Sequence, residues 1–94
     1  MSITVKFIGE LSLLSGEKKQ TFKCTEGSSI ADFINKISKG KHALKKSLIS
    51  TSQVDPKPNA LILVNGKEIS VLDGLATKLN AGDEVVFIPV VHGG

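Results

Sequence analysis

Ile30, Phe33, Ile34 and Ile37 stand at i, i+3, i+4 and i+7, the spacing that lines side chains along one side of an α-helix. A helix with one apolar stripe must bury it against another surface, and a chain of 94 residues has room for only one core. Ser29 with Asp32 three residues on has the form of a capping box, Asp replacing the usual Glu or Gln. The pattern predicts a helix over 28–37. Lys36 and Lys39 suit the negative end of its dipole, and Gly40 is placed to end it.

The surface that buries the stripe is a sheet. Ile3, Val5 and Phe7 alternate with Thr4 and Lys6, the period of a half-buried strand. A turn over 9–16 leads to a second strand over 18–25, with Phe22 and Cys24 on one side, so these two strands form a hairpin with a long connection. Beyond the helix, Ala43, Leu44, Leu48 and Ile49 suit a short second helix. Pro56 and Pro58 then mark an irregular stretch closing the 41–59 insert. A third strand is expected over 60–64. Asn65-Gly66 is a hairpin signal, because both residues tolerate positive φ, and 67–70 is its short return strand. A loop with a helical turn over 72–79 and a turn at Gly82-Asp83 precede the last strand, 84–89. Strands flanking one well-formed helix imply an α+β fold. In so short a chain the expected architecture is a β-grasp (ubiquitin-like): a mixed sheet packed on one main helix, with a short second helix. Residues 1–89 form the domain and 90–94 a flexible C-terminal tail.

A sheet covered on one side alternates apolar and polar residues. The third and last strands do not: Leu61 and Leu63 are as apolar as Ile62 and Val64, and Val86 and Ile88 match Val85 and Phe87. Either the second helix covers the other face, or that face carries an apolar patch of the kind that marks a partner surface. On the favoured second reading Leu61, Leu63, Val86 and Ile88, joined by Ile8, face a partner.

Bulk properties remove several classes of function. One cysteine permits no internal disulfide, and no Cys/His pair has metal-ligand spacing. Cys24, in register with Phe22, points to the core as a structural thiol. Lys36, Lys39, Lys41, Lys45 and Lys46 cluster, but without any Arg, Tyr or Trp they lack the bidentate and stacking groups that nucleic-acid binding uses. They read as a solvated face, and no direct nucleic-acid contact is expected. No apolar run approaches the roughly 20 residues that span a bilayer, and the N-terminus lacks signal-peptide character. The expected location is cytoplasmic, with no membrane partner.

The chemistry is expected at the end of the chain. Pro89 cannot donate to a sheet ladder, and past it the tail runs to His92-Gly93-Gly94. Two glycines let a terminal carboxylate thread a narrow channel and approach ATP, where side chains would block it. The sequence offers no Gly-rich phosphate loop and no acid–base pair. The catalyst is therefore another protein, and this chain is a substrate or carrier with Gly94 as its reacting group. Gly93 gives access. No Ser, Cys or carboxylate is placed by sequence to form a triad with His92, so an orienting contact in a partner's groove is its expected role.

The run from Asp83 through Phe87-Ile88-Pro89 to His92-Gly93-Gly94, with the Val64-Asn65-Gly66-Lys67 turn and the Leu75–Asp83 approach, resembles the MoaD/ThiS sulfur carriers. It resembles equally the ubiquitin-related modifiers and the small archaeal modifier proteins. The His92-Gly93-Gly94 ending is nearer the ubiquitin-related modifiers, and Phe87-Ile88-Pro89 nearer MoaD. ThiS-type carriers rank last, because the 41–59 insert makes the chain long for one. The resemblance implies that an E1-like (MoeB-like) enzyme adenylates Gly94 with ATP and Mg²⁺, which belong to that enzyme, no cofactor being bound permanently here. A sulfurtransferase persulfide then supplies sulfur for a thiocarboxylate. That sulfur serves molybdopterin synthesis through a MoaE-like subunit, or a tRNA-thiolation enzyme. The resemblance implies as an alternative an isopeptide bond from Gly94 to lysines of target proteins. A non-covalent β-grasp binding module is the third reading.

Overall fold

The structure, a computed structural model, describes residues 1–50 and 55–90. Its first strand, β1 (Ser2–Phe7), is followed by α1 (Glu10–Ser15), β2 (Lys19–Lys23), α2 (Ile30–Ile37) and α3 (His42–Leu48). Then come β3 (Ala60–Val64), β4 (Lys67–Glu68), two 3-10 turns at Ile69–Val71 and Gly74–Ala76, and β5 (Glu84–Pro89). The mixed α+β architecture is that of a β-grasp.

Helix α2 forms as its spacing requires. Ser29 Oγ accepts the Asp32 N–H at 3.1 Å, and Asp32 Oδ2 accepts the Ser29 N–H at 3.2 Å, so the capping box is closed in both directions. Ile30, Phe33, Ile34 and Ile37 are all buried. The helix stops before Gly40, at Ser38, whose N–H and hydroxyl both donate to the Ile34 carbonyl, at 3.1 and 2.5 Å. Gly40 instead serves the turn into α3.

The sheet order is β2-β1-β5-β3-β4. β1 pairs parallel to β5, and every other neighbour is antiparallel. Ile3, Val5, Phe7, Ala60, Ile62, Val64, Val85 and Phe87 share the buried face, where the Phe7 and Phe87 rings stack with centroids 5.7 Å apart. Phe22 meets Phe33 of α2 edge-on at 6.0 Å. Leu44 and Leu48 of α3 and Leu11 of α1 join this same core. The second helix therefore does not cover the opposite face, and the covered-sheet alternative is set aside.

Three local expectations change. The stretch over 9–16, read as a turn, contains the six-residue helix α1. Leu11 anchors it in the core, and Ser15 Oγ closes it by donating to the Glu17 carbonyl at 2.7 Å; one buried turn is too short to show a helical repeat. β2 is shorter than 18–25. The return strand is only two residues long, because the Glu68 carboxylate accepts the Ser70 N–H and hydroxyl and draws the chain into a 3-10 turn.

Replacing Ser29 with Ala is expected to cost about 1 kcal/mol of stability, as for other N-cap losses, seen as a lower urea midpoint at unchanged slope. Hydrogen bonds from the Ser29 backbone and hydroxyl hold the Asp32 carboxyl below its ordinary pKa. Its contribution is therefore present above the usual carboxylate range and is lost as pH falls through the depressed folded value. The midpoint difference between the native chain and Asp32→Asn should accordingly shrink on acidification below that range.

Candidate functional site

β3 and β5 are neighbours, and their register decides which side chains meet. Leu61 lies opposite Ile88 and Leu63 opposite Val86, while Ile62 faces Phe87 and Val64 faces Val85. Since side chains alternate along a strand, the first two pairs stand together on the face away from the helices. Leu61 is 40% exposed, and Leu63, Val86 and Ile88 are half-buried. Ile8, at the end of β1, is 44% exposed and donates its N–H to the Phe87 carbonyl at 3.0 Å. The four residues picked out by the sequence thus form one apolar patch in the middle of the sheet. Lys6, the register partner of Val86, borders it and pairs with Glu84 at 3.2 Å.

The patch leads to the root of the tail. β5 runs to Pro89, which stands opposite Ala60. Gly9 turns the chain beside this exit: its φ of 57° and ψ of −136° suit only glycine, whereas a Cβ there would meet Pro89 Cγ only at ordinary contact distance, 3.4 Å. Past Pro89, Val90 is 48% exposed. It lines a cavity of about 320 Å³ with Glu10, Lys46, Ser47 and Asn59. His92, Gly93 and Gly94 lie outside the described residues.

The other end of β5 is pinned by side chains. Asn65, at φ 50° in the β3–β4 turn, donates from Nδ2 to Asp83 Oδ1 at 2.9 Å and accepts the Glu84 N–H on Oδ1 at 2.9 Å. Asp83 Oδ2 accepts the Asn80 N–H at 2.7 Å. Sequence reasoning found both turns but not the bonds between them, because nothing local relates residues 18 apart.

Other candidates take structural roles. Cys24 is buried, and desolvation pushes its thiol pKa up, which lowers its reactivity at neutral pH. The clustered lysines are mostly exposed, and Lys41 Nζ donates to the Ser15 carbonyl, tying α3 to α1. Among the described residues no helix is long and apolar enough to cross a membrane.

Comparison with known proteins adds a lineage to this geometry. The model of the ThiS family matches residues 5–94. Small archaeal modifier protein 3 of Haloferax volcanii is 30% identical over the whole of both chains. Ubiquitin-related modifier 1 of Schizosaccharomyces pombe is 31% identical, again over the whole of both. A Haloferax volcanii protein solved in solution superposes with a TM-score of 0.82 at 30% identity, covering 100% of this chain and 87% of that one.

The two sides of β3 and β5 should respond oppositely to a charge. Ile88→Asp on the open face is expected to cost about 1 kcal/mol, the span of strand propensity, and to leave a cooperative thermal transition. Ile62→Asp, which places a charge in the core, should abolish that transition. Circular dichroism melts of both variants check this.

Proposed function

This chain belongs to the ThiS family, and on that premise we propose that it is a ubiquitin-like carrier whose Gly94 carboxylate is activated by a separate E1-like enzyme. The observation that carries the reading is the apolar patch of Leu61, Leu63, Val86 and Ile88, which lies on the face away from the helices, across β3 and the strand β5 that leads into the tail. The body docks through this patch, and the tail enters the enzyme's channel. His92 makes an orienting contact there, and Gly93 lets the backbone pass.

Activation needs ATP and Mg²⁺, both held by the partner. An oxygen of the Gly94 carboxylate attacks the α-phosphorus, pyrophosphate leaves, and an acyl-adenylate forms. The outer sulfur of a sulfurtransferase persulfide then attacks the acyl carbon and AMP leaves. A thiol cleaves the S–S bond of the resulting acyl disulfide, which frees the thiocarboxylate and leaves the thiol and the donor sulfur joined as a disulfide. The carried sulfur passes to molybdopterin through a MoaE-like subunit, or to tRNA uridine through a thiolation enzyme, in the cytoplasm.

A second reading is favoured by the two curated relatives, both of which are named as modifiers. In it the ε-amine of a target-protein lysine attacks the acyl carbon of the Gly94 adenylate and AMP leaves, giving an isopeptide bond. The two outlets share the activation step and are compatible in one protein.

Intact mass spectrometry separates the readings. After incubation with an E1-like enzyme, ATP, Mg²⁺ and a persulfide donor, the full chain is expected to exchange one carboxylate oxygen for sulfur. Deleting Gly93-Gly94 should abolish the exchange. A chain that forms the adenylate but never gains sulfur would rule out the carrier outlet, and tail remnants on lysines of digested extracts would then support conjugation. Function untouched by the deletion would leave a non-covalent binding module.

A further inference from the structure

The apolar strip on the open face does not end at Ile88. It continues through Ile8 into a groove of about 600 Å³ between the end of β1 and helix α1. Phe7, Ile8 and Gly9 line one side of this groove, and Ser12 and Leu13 line the other. Leu11 and Ser15 hold α1 to the core, which turns Leu13 outward at 82% exposure. A leucine so exposed contributes little to folding, and beside Ile8 it enlarges the apolar surface at one corner of the sheet.

The rim of the groove is cationic. Lys6, Lys18 and Lys19 all border it, with Lys6 and Lys19 opposite one another in the β1–β2 register. Lys6 is engaged by Glu84 at 3.2 Å, and that is the one ion pair among the described residues. Lys18 and Lys19 therefore stand beside an apolar floor with no ion-pair partner among the described residues.

We propose that this groove docks a partner protein through an extended segment whose aliphatic side chains are flanked by carboxylates. The aliphatic groups pack between Ile8 and Leu13, and the carboxylates meet Lys18 and Lys19. Charge complementarity selects this occupant. A six-residue α1 is too short to lie as an amphipathic anchor in a lipid surface, and no Arg, Tyr or Trp is available to stack a base. Phe7 is the register partner of Phe87, so the groove lies toward the end of β5 from which the tail departs, within reach of a protein that holds the tail. The inference rests on the proposed docking role of the open face for its partner class, and does not depend on activation of Gly94.

The test uses the full chain and a fluorescent peptide with an Ile-Leu-Val centre flanked on both sides by Asp and Glu. Saturable binding is expected, with amide NMR shifts centred on Ile8, Leu13, Lys18 and Lys19. Leu13→Ser should weaken binding roughly tenfold, the worth of one buried leucine, at an unchanged melting temperature. The double change Lys18→Glu with Lys19→Glu should weaken it at least as much, whereas Lys39→Glu with Lys45→Glu should not. A chain lacking Gly93-Gly94 should bind the peptide normally. Absence of binding, equal binding by the groove variants, equal binding of a Lys-flanked peptide, or preferential uptake by phosphatidylserine vesicles would each overturn the proposal. If sulfur exchange survives while peptide binding fails, only the groove is refuted.

Discussion

Thr4 to Phe7 pair in parallel with Glu84 to Phe87, joining the first strand of the chain to its last at the centre of the sheet. A parallel pair cannot be closed by a tight turn, and here nearly the whole chain lies between the two strands, so the pairing carries a large loop-closure cost. Burial offsets it. Ile3, Val5, Phe7, Val85 and Phe87 are almost wholly withdrawn from water, and α1, α2 and α3 pack on that one side. Because β5 is central, the tail leaves from a strand held by neighbours on both edges. The bonds of Asn65 to Asp83 and Glu84 fix the start of that strand.

Packing all three helices on one face has a consequence for the other. β3 and β5 carry apolar residues on both sides, so the open face exposes Leu61 with Leu63, Val86 and Ile88 around it. Such a patch adds little stability to the isolated chain and favours association. Its Ile88 is one residue short of Pro89, where β5 ends. Retention of an apolar patch is physically reasonable if the patch orients the body while the glycines give the carboxylate access. The cationic groove beside Ile8 adds charge to that contact, and charge favours the right partner and a fast encounter.

Much of this was legible in the residues. The bounds of β3 and β5 follow from apolar runs ended by Asn65-Gly66 and Pro89, and α2 from its stripe and cap. The patch residues were identifiable from broken alternation alone, since period-two geometry assigns each to a face. Which side α3 would cover was not legible: Leu44 and Leu48 state that the helix is buried, not against what. Helix α1 escaped because its single core residue, Leu11, sits among Leu13 and Leu14, which face outward. The Asn65–Asp83 network escaped because its geometry exists only once β3 and β5 are paired.

The central claim is that the body docks by its open face to present Gly94. Methyl-resolved NMR of the full chain titrated with its E1-like enzyme tests this most directly. The methyl signals of Leu61, Leu63, Val86 and Ile88 should broaden or shift, with those of Ile30, Ile34 and Leu44 in the helical layer unchanged. Perturbation confined to the helical layer, with the open-face methyls silent, would contradict it.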